Sequence, residues 1–245
     1  MRLVTTALCT LLALPAAALD LDQMTDEERA LFRSEVRAYL MDNPEVIMEA
    51  VQVLEQRQAD SQAQADLDLV AANAEALFND GFSWVGGNPD GDITLVEFLD
   101  YRCGYCKRAH AEVATLLEAD GEIRWIVKEF PILGEQSLLA SRFAIATRLV
   151  AGDVAYAQVH DALMTFNGDI SEPVLRRISD GFAFDTDAIM ARMDDDAITE
   201  EIRQTRALAQ RLQISGTPSF VVEDELLRGF LPADQMEIII ADKRG

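Results

Sequence analysis

Cys103-Gly104-Tyr105-Cys106 lies between a strand-like run, Ile93–Leu99, and a helix-like run, Lys107–Ala119. That order limits the fold to one that seats a pair of cysteines at a strand-to-helix junction. A thiol at a helix N-terminus meets unpaired backbone N–H groups and the positive end of the helix dipole. Its pKa falls, and the thiolate becomes the attacking or leaving group of thiol–disulfide exchange. Cys106 shares a helical stripe with Ala109, Val113, Leu116 and Leu117 and so faces inward, whereas Cys103 precedes the stripe. The pattern assigns Cys103 as nucleophile and Cys106 as resolving thiol. Lys107 and Arg108 either favour the thiolate from the first turn or are solvated surface, and His110 reads as an ordinary helix residue. Cys-x-x-Cys is also half of a zinc site, but structural zinc takes four ligands. The chain has no second cysteine pair, which leaves only His110, His160 and carboxylates to complete such a site.

The strand before the motif is almost wholly apolar, as a strand covered on both faces should be. Glu97 interrupts it. A carboxylate buried beneath the cysteines has its pKa raised by desolvation and can exchange a proton with the inner thiol. The alternative is a strand-edge Glu pointing to water.

Arg2, the apolar run Leu3–Leu14 and the small residues Ala16 and Ala18 have the form of a cleaved export signal over residues 1–18. The run is shorter than the ~20 apolar residues a spanning helix needs, which disfavours the competing reading as an anchor. A periplasmic protein beginning at Leu19 keeps two of the three cysteines, and in an oxidising compartment that pair is the working part. The formal charge of −22 argues against nucleic acid and anionic membrane surfaces as partners.

Residues 19–78 read as an N-terminal helical arm and connector. Thr25 and Glu28 form a capping box, and Phe32, Val36, Tyr39 and Leu40 recur at helical spacing. Asn43-Pro44 restarts the pattern, and Ile47, Ala50, Val51 and Leu54 extend the apolar face. From Glu55 to Asp66 the stripe lapses into a polar helix or hinge. It resumes with Leu67, Val70, Ala74 and Leu77. Both amphipathic pieces pack on the main domain, or the first is an oligomerisation arm, for which a trimer is the expectation.

Residues 79–245 read as the catalytic domain. Phe82–Val85 and Ile123–Val127 are strand candidates, and Lys128–Gly134 is a loop leaving the second of them. About four helices fill residues 135–212 as an insertion. Ile214–Val222 is a strand entered through Thr217-Pro218, whose proline cannot donate to a ladder, and Pro232–Ala241 is a closing helix. A cis Thr217–Pro218 bond leaves a backbone edge open to an incoming chain.

Three stretches, Val96–Arg108 around the cysteines, Lys128-Glu129-Phe130-Pro131-Ile132-Leu133-Gly134 and Gly216-Thr217-Pro218, resemble the DsbA-like branch of the thioredoxin superfamily. The Cys-Gly-Tyr-Cys motif and helical extension resemble its ScsC, or suppressor-of-copper-sensitivity protein C, group. The resemblance implies an α/β thioredoxin fold with an inserted helical domain and an N-terminal helical extension. It implies catalysis by Cys103 and Cys106, with Glu97 as the buried acid, and no cofactor beyond the redox-active Cys103–Cys106 disulfide. Thr217 and Pro218, with Gly104 and Tyr105, would face the substrate. DsbA itself has Pro-His between its cysteines, a histidine that Gly104-Tyr105 lacks. The implied partners are unfolded or misoxidised client proteins and a membrane thiol–disulfide redox partner. Some ScsC relatives are trimeric isomerases held by an N-terminal arm. Two other functions stand beside disulfide exchange: Cu(I) binding or copper tolerance through the same two thiolates, and a holdase for which the cysteines are dispensable.

Overall fold

The computed structural model describes residues 23–245, so the expected export signal lies outside the described residues. The chain divides into two compact units, one ending at Ala59 and one spanning Asp60–Gly245.

In the first unit, helix α1 (Asp26–Asp42) starts at the expected capping box. Thr25 Oγ1 accepts from the Glu28 N–H, and the Glu28 carboxylate accepts from the Thr25 N–H at 2.8 Å. Asn43 ends α1, and helix α2 (Glu45–Ala72) follows. No α1 residue is buried, and Phe32, Val36, Tyr39, Ile47 and Leu54 are all at least two-fifths exposed. Residues 55–66 are helical, continuous with the rest of α2, so the polar stretch is no break in the chain.

The second unit begins within α2 and takes in residues that the sequence placed in the arm and connector. Asp66 is buried and forms a bidentate pair with Arg228 at 2.6 and 2.8 Å. Val70 and, from helix α3 (Ala74–Phe78), Leu77 are buried against Val96, Phe98, Ile126 and Leu212. Side chains of that size stabilise by about 1.5–3 kcal/mol each when fully buried. The two amphipathic pieces therefore have different fates: the second packs on the catalytic unit, while the first keeps its stripe exposed.

Five strands make one mixed sheet in the order β1-β3-β2-β4-β5. They are β1 (Trp84–Gly87), β2 (Ile93–Leu99), β3 (Ile123–Glu129), β4 (Ser219–Val222) and β5 (Glu225–Arg228). β2 and β3 are parallel and joined by helix α4 (Gly104–Ala119). β1, β4 and β5 pair antiparallel with their neighbours. β1 starts two residues later than its apolar run suggests, because Gly86 and Gly87 belong to it. A Cβ on Gly86 would lie 2.2 Å from the Trp84 ring, so only glycine lets that ring cross the strand. β3 runs two residues further than expected: Lys128 and Glu129 are strand residues, not loop, and both are buried. Lys128 meets Asp80 at 2.6 Å, and Glu129 is held by the phenols of Tyr101 and Tyr156.

The insertion comprises five helices, α5 (Glu135–Ala151), α6 (Asp153–Thr165), α7 (Glu172–Gly181), α8 (Thr186–Arg192) and α9 (Asp196–Arg211). The sequence reading merged the last two because no glycine or proline marks the break at Met193–Asp195. Helix α10 (Ala233–Arg244) closes the chain. One face of the sheet, with Leu95, Leu99, Trp125, Val127 and Phe220, packs on α4, α5, α6 and α10. The other, with Val96, Phe98, Ile126 and Val221, packs on Leu77, Leu208 and Leu212. This is the α/β thioredoxin arrangement with a helical insertion and an N-terminal helical extension.

Candidate functional site

The sheet register assembles the site. β2 ends at Leu99, and Cys103 is the N-cap of α4. β4 pairs antiparallel with β2, Phe98 opposite Ser219, which brings the preceding Thr217–Pro218 beside the end of β2. The Thr217–Pro218 peptide is cis, as the sequence suggested. Cys103 Sγ lies 3.1 Å from the Thr217 carbonyl oxygen, to which its thiol form donates.

Both cysteines are free thiols, and their acidities are driven apart. Cys103 is held down to about 5, chiefly by the Cys106 S–H, then by the Thr217 side chain and the backbone N–H groups of Cys106 and Tyr105. Burial opposes this and loses. Cys106 is fully buried, and burial, with its bond to Cys103, pushes its thiol far above the ordinary range. Neither Lys107 nor Arg108 is among the chief causes that lower the Cys103 pKa. Lys107 Nζ donates to the Phe166 carbonyl, and the Arg108 guanidinium lies 4.1 Å from the Tyr105 ring centre and 5.5 Å from that of Phe230. Gly104 and Tyr105 are exposed beside Cys103, Thr217 is half-buried, and Pro218 is buried.

Glu97 is inside the protein, not at a strand edge: it is 1 % exposed. Trp125 Nε1 donates to its Oε2 at 3.2 Å, and Oε1 has no partner. Burial raises its pKa to about 8, and its charge is felt at Cys106.

Three features were missed in the sequence. Asp100 is buried and accepts from the N–H groups of Arg102, Ile132 and Leu133 at 2.8, 2.8 and 2.9 Å, tying the turn before Cys103 to the loop after β3. Glu129 accepts from Tyr101 and Tyr156 hydroxyls, and buried His160 lies beside them. His110, a helix residue as read from the sequence, packs its ring 5.2 Å from that of His160. The available signal was the spacing of Glu97 and Glu129, each third from last or last in its strand and brought to one face by parallel register. Among the described residues no cluster of three or more His, Cys, Asp or Glu side chains is set to hold a metal ion.

Residues 94–241 match the model of the DSBA-like thioredoxin domain, and residues 28–60 that of the copper resistance protein ScsC N-terminal domain. A thioredoxin-like oxidoreductase from Silicibacter pomeroyi is 44% identical, with a TM-score of 0.66 over 69% of this chain and 96% of that one. Proteus mirabilis ScsC in a transitional conformation is 28% identical, covering 91% and 98% at a TM-score of 0.65. Salmonella enterica Typhimurium BcfH is 26% identical, covering 89% and 97% at 0.74. Among curated proteins, a Na(+)/H(+) antiporter NhaA 3 of Salinispora tropica is 28% identical over 56% of this chain, which spans only 21% of the antiporter's length. With a family model covering more than half its length, the chain belongs to the DsbA-like thioredoxin-domain family, and its N-terminal helices match the ScsC N-terminal domain.

Proposed function

We propose that the chain is an exported, periplasmic thiol–disulfide oxidoreductase that reshuffles disulfides in client proteins, with isomerase behaviour supplied by self-association. The opposed acidities of Cys103 and Cys106 carry this reading. The Cys103 thiolate attacks a client disulfide, the client S–S bond breaks, and one client sulfur leaves as a thiolate that solvent protonates. Cys106 then gives its proton to Glu97 and attacks Cys103 Sγ. The mixed disulfide breaks, the second client thiol leaves, and Cys103–Cys106 closes as a disulfide. Run backward, the same steps oxidise a client, and attack on the mixed disulfide by another client thiol isomerises it. No cofactor beyond the dithiol is required. Thr217 and Pro218 bind the client backbone, Gly104 and Tyr105 flank it, and a membrane redox partner resets the pair.

A Salmonella relative, 27% identical, is described as a periplasmic thioredoxin-like protein, and a Bacillus subtilis relative as a disulfide bond formation protein D. Among the described residues no helix is long and apolar enough to cross a membrane. The exposed stripe of α1 and early α2, within the ScsC-like N-terminal match, supports association as a homotrimer. Replacing Cys103 by Ser is expected to abolish insulin reduction and scrambled-ribonuclease reactivation; activity that survives would overturn the assignment.

The N-terminal match to a copper resistance protein favours a second reading, Cu(I) binding by the Cys103 and Cys106 thiolates, which are soft ligands suited to that ion. Titration with Cu(I) against a chelator decides it: affinity no better than that of a generic dithiol peptide removes it.

A further inference from the structure

Under the dithiol, on the face of the sheet that carries Glu97, lies a polar cluster that the proposed chemistry leaves unused. Glu129 Oε1 accepts from Tyr101 at 2.7 Å and from Tyr156 at 2.6 Å. The Tyr101 oxygen lies 3.1 Å from His160 Nδ1. Because the single Tyr101 proton goes to Glu129, His160 must carry its proton on Nδ1 and donate it to the phenol, an assignment fixed by the hydrogen-bond partners. His160 Nε2 is then a bare acceptor, buried without a partner. Next to it is the His110 ring, inclined at 64°. His110 Nε2 is 2.9 Å from the Asp161 carboxylate and donates to it, and His110 Nδ1 is also buried and unpartnered. Asp161 is 69% exposed, so the line Asp161–His110–His160–Tyr101–Glu129 leads from solvent to the buried carboxyl.

Glu97 pairs with Val127 and Leu99 with Glu129, so the two carboxyls are diagonal neighbours on one sheet face. A charge on one opposes a charge on the other. We propose that Glu129 is a positioning residue for the resolving step: its proton, exchanged with solvent through Tyr101, His160 and His110, sets the pH at which Glu97 becomes free to accept the Cys106 proton.

Burial raises Glu129 to about 7 and Glu97 to about 8, and the Glu129 charge raises Glu97 further. Asp100 at the end of β2 raises Glu129 further, while the Tyr156, Ser141 and Tyr101 hydroxyls lower it. From α9, Glu201 is charge-coupled to Glu129 and paired with Arg148 of α5 at 2.8 Å. Burial keeps His160 neutral, down to about 3, so it passes a proton without storing charge.

The inference rests on Glu97 as acceptor of the Cys106 proton, and the test separates the two. A preformed Cys103–client-peptide mixed disulfide is followed by stopped flow as Cys106 releases the peptide, across about pH 5 to 9, the range these two carboxyls span. Glu129→Gln is expected to move the midpoint of the rate profile down by about half a pH unit or more, because a neutral neighbour no longer opposes the Glu97 charge. Tyr156→Phe, which removes one donor to Glu129, is expected to move it the same way by less, and stands in if Glu129→Gln does not fold. The Cys103 thiolate titration stays unchanged in both, which a general loss of structure would not allow. Glu97→Gln is expected to erase the step. Profiles of Glu129→Gln and Tyr156→Phe that superimpose on wild type, while Glu97→Gln differs, overturn this inference alone. A wild-type profile retained in Glu97→Gln overturns it together with the role given to Glu97. Infrared titration supplies the readout without activity: three protonated carboxyls, Glu97, Glu129 and the buried Glu201, lost over that range in wild type, and two in Glu129→Gln.

Discussion

Cys103 and Cys106 are chemically identical residues three positions apart, and the fold makes one a thiolate and the other a held proton. The Cys106 S–H is the foremost stabiliser of the Cys103 thiolate, so Cys106→Ala should raise the Cys103 pKa from about 5 toward that of a free thiol, read by thiolate ultraviolet absorbance. The folded value lies below the unfolded one, about 8.5. Ionisation therefore stabilises the reduced protein in full above that value, and the gain is lost as pH falls through about 5. Glu97 and Glu129 act in the opposite sense: their contribution is present at acid pH and lost as pH rises through about 8 and 7. The Cys103 thiol, in contrast, ionises only in the reduced form. The Tm difference, reduced minus oxidised, should therefore widen from pH 5 to pH 8, roughly the interval between folded and unfolded thiol values; a flat difference would contradict the lowered pKa. Gly104 offers a separate test. A Cβ there meets nothing within 4 Å, and Cys103 at ψ 115 is already in the extended region that a following proline requires. Gly104→Pro places proline at the first helical position and should stabilise by about 0.4–1 kcal/mol in denaturant titration. At this scale the cysteines, the proline and Glu97 were legible, since each is an exception to its surroundings. Glu129 and Asp100 were not, because a buried carboxylate and a loop carboxylate read alike until the hydrogen bonds are known.

Elements place those residues. Asp100 couples two of them, since one oxygen caps the turn into α4 and the other holds the Ile132 and Leu133 N–H groups after β3. Asp100→Ala strands three part-buried donors, for which the cost of about 1–3 kcal/mol per fully buried donor is an upper bound. It should cost about 3 kcal/mol in chemical denaturation and slow client turnover, with Asp100→Asn milder. Stability within about 0.5 kcal/mol of wild type would mean that the loop is held by other contacts. Strands β2 to β4 and helix α4 were legible from apolar runs and the motif between them. β5 was not, because Glu225-Leu226-Leu227-Arg228 is short and edge-lying, and its partner is set by the turn at Glu223-Asp224. The end of β3 was lost for a different reason: Lys128 and Glu129 carry charges that composition sends to a loop, yet buried partners on opposite faces keep them in the sheet.

For the whole molecule, the contrast between the two amphipathic pieces matters most. Val70 and Leu77 have found a core, whereas Phe32, Val36 and Tyr39 have none within their own unit. A stripe in the sequence announces burial without naming the surface that provides it, which is why both outcomes stayed open until the packing was seen. Cutting before Asp60 leaves the second unit whole. Removing residues 19–59 should give a folded monomer by light scattering that reduces insulin as well as before and loses isomerase activity. Full-length protein that is already monomeric at micromolar concentration would contradict the arm's role. The separation of the two halves of the site has one more consequence. Cys103 meets Thr217 across 114 residues, with the entire insertion made between them. While the chain is still emerging from its synthesis or transport machinery, the nucleophile has neither its β4 neighbour nor its closed core. Contacts this distant in sequence form late. The Cys106 S–H and the first N–H groups of α4 are local to the motif and act on Cys103 without β4, whereas the Thr217 contact is a property of the finished protein, so a chain halted before β4 carries an acidic thiol with no client-binding edge beside it.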